Sequence, residues 1–376
     1  MRRPLATAFL VVTLAPALAV AGDAARLSAR GVWVADRDGK PIPPGSFKRG
    51  LQPSGLLVRG GELWAIGDQR SEYPGHLFRI DPRTGRLIGL PIALELPAET
   101  PGEDEEFAAY RKIPNSDFEG VTIHPRDPDL LFAVTEDKVP WIAEIRLERD
   151  PGGGQTAPGD KPREEATRAR LVRLTRIIFP PDAAAWRDDP NFRFEGCALS
   201  DDATTLFLAF ERTRDDLPRI YRVALAAARA GKAVNLEAVP VAFAKVPRRA
   251  DKQAARLNLN DLFCLRHQGK ALAVAIARDQ ERLLLIDLDR GEVTRIIDLE
   301  LLDPGGRAIH WVSPEGLAAD VERDRLWIIN DPDSVERNYR ARDEAAASGP
   351  FADYSPLLFE LKLSEVLGEP RPGTGE

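Results

Sequence analysis

Short apolar runs, each closing on a polar or charged cluster, return along this chain at long and roughly regular intervals. They read Leu63-Trp64-Ala65-Ile66 to Asp68, Leu131-Phe132-Ala133-Val134 to Glu136 and Leu206-Phe207-Leu208-Ala209 to Glu211. Two more follow, Leu272-Ala273-Val274-Ala275 to Arg278-Asp279 and Leu326-Trp327-Ile328-Ile329 to Asp331. Ahead of the runs stand the phrases Pro53-Ser54-Gly55-Leu56, Phe118-Glu119-Gly120-Val121, Phe194-Glu195-Gly196-Cys197 and Pro314-Glu315-Gly316-Leu317, with a weaker copy in Asn260-Asp261-Leu262-Phe263. Turn residues such as Ser200-Asp201-Asp202 separate phrase from run, so each pair predicts two strands joined by a hairpin. A third strand with an apolar-x-Ile/Val ending follows, as in Leu77-Phe78-Arg79-Ile80, and a fourth begins after turns such as Asp289-Arg290-Gly291.

The spacing is kept from copy to copy. Glu195 to Leu206, Asp261 to Leu272 and Glu315 to Leu326 each span 11 residues, Glu119 to Leu131 spans 12 and Ser54 to Leu63 spans 9. Four-stranded antiparallel sheets repeated around an axis form a β-propeller, so the expected fold is all-β with five blades, six being the alternative. Gly31-Val32-Trp33-Val34-Ala35 is the candidate strand for closing the last unit onto the first. The expected propeller spans 22–366, with units starting near 54, 119, 195, 261 and 315 and a disordered tail over 367–376. Segments 95–112, 149–168 and 333–353 read as insertions.

A hydrophobic content of 43% over 376 residues supplies a core and excludes a disordered class. A net charge of −7, with no basic stripe, argues against a nucleic-acid partner. Arg2-Arg3, the apolar stretch from Leu5 to Val20 and Ala19-Val20-Ala21 predict a secretory signal over 1–21. That stretch contains Pro16 and is shorter than the ~20 residues of a spanning helix. The mature chain is therefore expected in the periplasm or outside the cell, as a monomer without a stable membrane span. The two cysteines, Cys197 and Cys264, follow the repeat phrase in adjacent units; a bridge and two buried free thiols both stay open.

Aligned units give two columns. One reads Ser54, Glu119, Glu195, Asp261, Glu315; the other, at the end of the next strand, reads Asp68, Glu136, Glu211, Ala277, Asp331. Innermost strands line the axis, so the first column places up to four carboxylates around it. Like charges at close range raise each other's pKa unless a cation sits among them. Ca²⁺ suits such a ring, since it takes six to eight oxygen ligands in irregular geometry. Glu119, Glu195, Asp261 and Glu315 are the candidate ligands. The competing reading is structural: each acidic residue caps backbone N–H groups and each glycine allows a bulge. Arg212 and Arg278, each 17 residues after its unit's acidic residue, pair with acidic neighbours or contact a substrate anion.

Ser116-Asp117-Phe118-Glu119-Gly120, Arg193-Phe194-Glu195-Gly196 and Ser313-Pro314-Glu315-Gly316 resemble the Glu-Gly motif of the phytase-like "esterase-like activity" domain family and of SdiA-regulated propellers. The resemblance runs from about Ser54 to Leu363. It implies a secreted propeller, calcium in some relatives and a hydrolase activity; the absence of a basic cluster speaks against phytate. The expected function is metal-assisted hydrolysis of an ester or phosphoester, with Asp261 as base and Arg212 or Arg278 steadying the substrate anion. A non-catalytic scaffold that binds an envelope partner, with calcium serving stability, is the alternative. A lactonase is a third reading.

Overall fold

The computed structural model describes residues 24–42, 50–69, 71, 73–97, 105–112, 117–149, 167–180, 193–213, 215–230, 232–332, 349, 351 and 355–368. The predicted leader over 1–21, most of segments 149–168 and 333–353, and the tail from 369 onward lie outside them. Strand β1 (Ala25–Trp33) comes first. The first repeat supplies β2 (Pro53–Arg59), β3 (Glu62–Gly67), β4 (His76–Ile80) and β5 (Ile92–Glu95); the second supplies β6 (Phe118–His124), β7 (Asp127–Thr135), β8 (Trp141–Arg149) and β9 (Thr167–Ile178). The third contains β10 (Phe194–Leu199), β11 (Thr205–Phe210), β12 (Arg219–Ala224), β13 (Ala233–Asn235) and β14 (Glu237–Val239). The fourth contains β15 (Leu262–His267), β16 (Lys270–Ala277), β17 (Arg282–Asp287) and β18 (Glu292–Leu302), and the fifth β19 (Pro314–Asp320), β20 (Arg325–Asn330) and β21 (Leu357–Leu361).

These strands form an all-β propeller. The first strand of each repeat packs on that of the next, in the order β2, β6, β10, β15, β19 and back to β2. Apolar side chains fill the spaces between successive repeats in five separate layers. Trp64 and Trp141 fill the layer between the first and second repeats, and Trp327 that between the fifth and first. A sheet covered on both faces has no polar side, which is why β17 is buried at all six positions, Arg282 to Asp287.

Separate sheets, one per repeat, are not what the strand pairing gives. One eight-stranded sheet runs β15-β16-β17-β18-β1-β21-β20-β19, a second runs β10-β11-β12-β14, and a third runs β2-β3-β4-β5-β9-β8-β7-β6 with β13 added at β9. The joints are parallel pairings at outer edges, β1 on β18 and β5 on β9. The outer strands β9 and β18 have 12 and 11 residues. Such strands carry backbone donors and acceptors that a neighbouring repeat can pair. The N-terminal closure expected from the sequence is present: Gly31, Val32 and Trp33 pair antiparallel with Phe359, Leu358 and Leu357.

The acidic insertion before the second repeat contains a helix, Glu105–Tyr110, which buries Phe107 and Tyr110. Both cysteines are buried free thiols. They belong to different apolar layers, Cys197 between the second and third repeats and Cys264 between the third and fourth. Among the described residues no helix is long and apolar enough to cross a membrane.

Candidate functional site

Four innermost strands shift register at the repeat phrase, between Pro53 and Gly55, Phe118 and Gly120, Phe194 and Gly196, and Pro314 and Gly316. Each shift is a bulge that takes one residue out of the ladder. Ser54, Glu119, Glu195 and Glu315 are those residues, all at the same end of their strands. The glycine that follows is required by proximity. A Cβ on Gly55 would lie 2.5 Å from the Val121 nitrogen, on Gly120 2.6 Å from the Cys197 nitrogen, and on Gly196 2.6 Å from the Asp261 Cα. Neighbouring strands thus meet backbone to backbone and pinch the axis, with the acidic residues on one side of the pinch.

Asp261 occupies the pinch itself. It is 1% exposed; its Oδ1 accepts from the Leu262 N–H at 2.8 Å and its Oδ2 from the Leu317 N–H at 2.7 Å. Burial pushes its pKa well above the carboxylate range, against the pull of backbone N–H groups from Leu317, Leu262 and Leu56. The carboxylate therefore ties the first, fourth and fifth repeats together across the axis. It is the backbone-capping arrangement, and its oxygens are not presented to the mouth as those of a base or a ligand would be.

The remaining carboxylates divide into two halves. In one, Arg278 lies 2.6 Å from Glu315 Oε1 and 3.1 Å from Glu211 Oε1. Arg212 stands 3.2 Å from the same Glu211 oxygen, and Asn260 Nδ2 donates to Glu195 Oε2 at 3.0 Å. Burial raises the Glu315 pKa to about 7 even with Arg278 beside it. Burial opposes the charge on Arg278, but Glu315, Glu211 and Glu195 outweigh it and raise its pKa. Both arginines singled out in the sequence thus face carboxylates of the ring.

In the other half, Asp68, Asp117 and Glu119 each offer an oxygen, and the three oxygens lie within 4.8 Å of one another. Burial, then the charges of Asp117, Glu195, Glu136 and Asp68, drive the Glu119 pKa well above the usual range. Burial and Asp117 raise Glu136 to about 9, and burial raises Asp137 to about 6. Gln69 holds Asp117 in place through its backbone N–H at 3.2 Å and its side-chain amide. The donor set is all carboxylate and suits a hard divalent cation; the trio contains neither the imidazole nor the thiolate that zinc prefers.

Sequence reasoning placed Glu119 here and put Asp68 in the second column, but it gave Asp117 no role. Asp117 belongs to a third column two residues ahead of each bulge. The backbone N–H groups of Asp68, Glu136, Glu211 and Asp331 donate to the carbonyls of Gln52, Asp117, Arg193 and Ser313. The constant offset from the Glu-Gly phrase is the signal that identifies this column. Ser54 and Ala277 leave gaps in the two expected rings. The approach to Glu315 is strained, with Trp311 at φ 61° and Ser313 at φ 57°. Glu281 Oε1 holds it by accepting the Val312 N–H at 2.8 Å, while Glu281 Oε2 pairs with Lys252 at 2.7 Å.

Fold and site together define a β-propeller with a carboxylate-lined mouth. No family model matches the chain, and no curated protein matches its sequence. Among solved structures it is similar to glutaminyl cyclase from Myxococcus xanthus at 14% identity and a TM-score of 0.42, over 80% of this chain and 93% of that one. It is also similar to Mala s 1, the major allergen of Malassezia sympodialis, at 10% identity and a TM-score of 0.42, over 83% and 93%. The Cps50 (Swd1) β-propeller domain from Myceliophteria thermophila aligns at 13% identity and a TM-score of 0.29, over 62% and 52%. Likenesses this low carry nothing about activity.

Proposed function

We propose that the chain is an exported five-bladed propeller that binds Ca²⁺ at one mouth of its axis and hydrolyses an ester or phosphoester there. The observation that carries the reading is the convergence of Asp68, Asp117 and Glu119 oxygens within 4.8 Å, beside Glu136 and Glu195, whose pKa values burial also raises. Buried carboxylates held this close are costly as anions unless a cation joins them. Bound calcium would polarise a carbonyl or phosphoryl oxygen and activate a water. Arg278, with 23% of its side chain exposed, supplies a positive charge at the same mouth for a substrate anion. Five repeats with five apolar layers support five blades. The leader-like residues 1–21 support export, and the Glu-Gly phrases support the phytase-like resemblance.

The scaffold reading has its own support. Arg278, Asn260 and the backbone groups around Asp261 satisfy much of the ring internally, as a structural hub would. One experiment separates the two. The chain is stripped with EDTA, melted with and without Ca²⁺, then screened with carboxylic esters, lactones and phosphoesters alongside Glu119→Gln. A Ca²⁺-specific rise in the midpoint with turnover, both lost in the folded variant, supports the hydrolase. A rise without turnover leaves the scaffold. No rise removes the metal from both readings.

A further inference from the structure

On the far side of the glycine pinch the axis opens again. The inner strands continue past their glycines into an apolar cavity of 180 Å³, walled by residues such as Val121, Cys197, Leu199, Phe263 and Leu317. A second cavity of 340 Å³ lies in the crevice between the third and fourth repeats. Ser200, Asp201 and Cys264 line both, so the two adjoin across these residues. The crevice has an apolar floor, including buried Phe207, Val223, Leu272 and Leu288. Its rim carries exposed Asp201, Asp202, Glu237 and Asp289 against Arg222 and Arg266.

The charges of this rim do not cancel. Arg222 is spent on Glu237 at 2.5 Å, and Arg266 faces Asp202, donates its backbone N–H to Asp201 and donates its guanidinium to the Gly269 carbonyl at 3.0 Å. Asp202 accepts from the Ser200 hydroxyl and from the Thr204 hydroxyl and N–H, which lower its pKa to about 2 and keep it ionised. Among the described residues Asp289 accepts a single long bond, 3.4 Å from the Ala271 N–H. Apolar space that ends in a small group of fixed polar atoms is the ordinary form of a small-molecule site. A cavity of about 150 Å³ suffices for a benzene ring.

We propose that the crevice between the third and fourth repeats, at the mouth opposite the carboxylate trio, is a binding site for a small cationic amphiphile. Its aryl or short alkyl group sits on the crevice's apolar floor, and its ammonium group sits at the rim near Asp289. This site is independent of the calcium reading, because the pinch separates the two mouths.

The test is calorimetric titration of the full-length chain with 2-phenylethylamine, 2-phenylethanol and 3-phenylpropionate. The amine is expected to bind with 1:1 stoichiometry and on the order of tenfold more tightly than the alcohol, and the carboxylate not to bind. Asp289→Asn should reduce the amine's advantage severalfold, and Asp289→Lys should abolish it. Because Asp289 is exposed, both variants should melt as the wild type does. Cys264→Leu, which narrows the crevice, should weaken amine and alcohol alike. Equal binding of amine and alcohol, indifference to Asp289→Lys, or no amine binding at about 10 mM would overturn the proposal.

Discussion

Gly120→Ala is the sharpest perturbation the axis offers. The added methyl would stand 2.6 Å from both the Cys197 nitrogen and the Gly196 Cα, and 2.8 Å from the Gly196 carbonyl carbon. Ordinary carbon contacts begin near 3.5 Å, so β6 and β10 must separate by most of an ångström. The neighbours are backbone atoms with no rotamer to change, and the ring passes any displacement on to its other interfaces. Overpacking costs roughly 1–3 kcal/mol in most cores, and this site belongs at or above the upper end. Gly316→Ala provides a graded comparison, because the closest contact of its methyl is the Ile329 Cγ2 at 2.8 Å, which can turn away, and the fixed Leu56 Cβ and Gly55 carbonyl carbon stand farther off at 3.0 and 3.1 Å. About 1 kcal/mol is expected there. Gly269→Ala is the control for strain alone: it has φ +80° and open space around it, and should cost about 1 kcal/mol. Guanidinium unfolding of the three variants gives the order Gly120 above Gly316 and Gly269. A Gly120→Ala variant within about 0.5 kcal/mol of wild type would refute the backbone-contact account of the repeat phrase.

Three further outcomes follow from the mouth and its supports. The raised carboxyl groups titrate near 4.5 when unfolded but at about 7 for Glu315 and about 9 for Glu136 when folded. Their protonated forms therefore stabilise the fold fully below pH ~4.5, and this contribution is lost as pH rises through about 7 and 9. In EDTA the melting midpoint should fall across that window, and Ca²⁺ should flatten the fall; a flat profile in EDTA contradicts the clustering. Arg278→Ala leaves Glu315 and Glu211 without their shared cation and should cost about 3–5 kcal/mol in denaturant titration. Arg278→Lys should recover only part, since an ammonium cannot span both carboxylates. Lys252→Met leaves Glu281, 2% exposed, without its ammonium and should cost about 3 kcal/mol, whereas Lys252→Met with Glu281→Leu should recover part of the loss in the same titration.

The period of the Glu-Gly phrase was legible because a single geometric demand recurs: a bulge followed by a residue small enough for backbone contact. Asp261-Leu262 breaks the phrase in the fourth repeat, and the structure shows the reason, since a carboxylate there crosses the axis to the backbone N–H groups of Leu317 and Leu56. The sequence columns treat Asp261 as one acidic residue among equals. Alignment along the chain reports position around the ring but not the direction of a side chain. Asp117 escaped notice for a related reason, as its importance comes from Asp68 in the neighbouring repeat. The parallel joints β1–β18 and β5–β9 were also invisible. Alternation in a strand tells which face is buried, and it carries nothing about which chain segment completes an edge. The helix Glu105–Tyr110 lies inside the segment 95–112 that reads as an insertion; burial of Phe107 and Tyr110 in the layer between the first and second repeats decides its conformation.

Strand β1 precedes the other described strands and pairs with two of the late ones, β18 and β21. Gly31 finds Phe359, and Ala25 finds Ile297, so neither contact exists until the fourth repeat, and for Phe359 the fifth, has been made. Contacts this distant in sequence slow folding, and an early fragment would display an unmatched sheet edge. The ring therefore closes late, with β1 acting as a clasp between the fourth and fifth repeats. A lag between emergence of the fifth repeat and acquisition of protease resistance is the kinetic signature of that clasp.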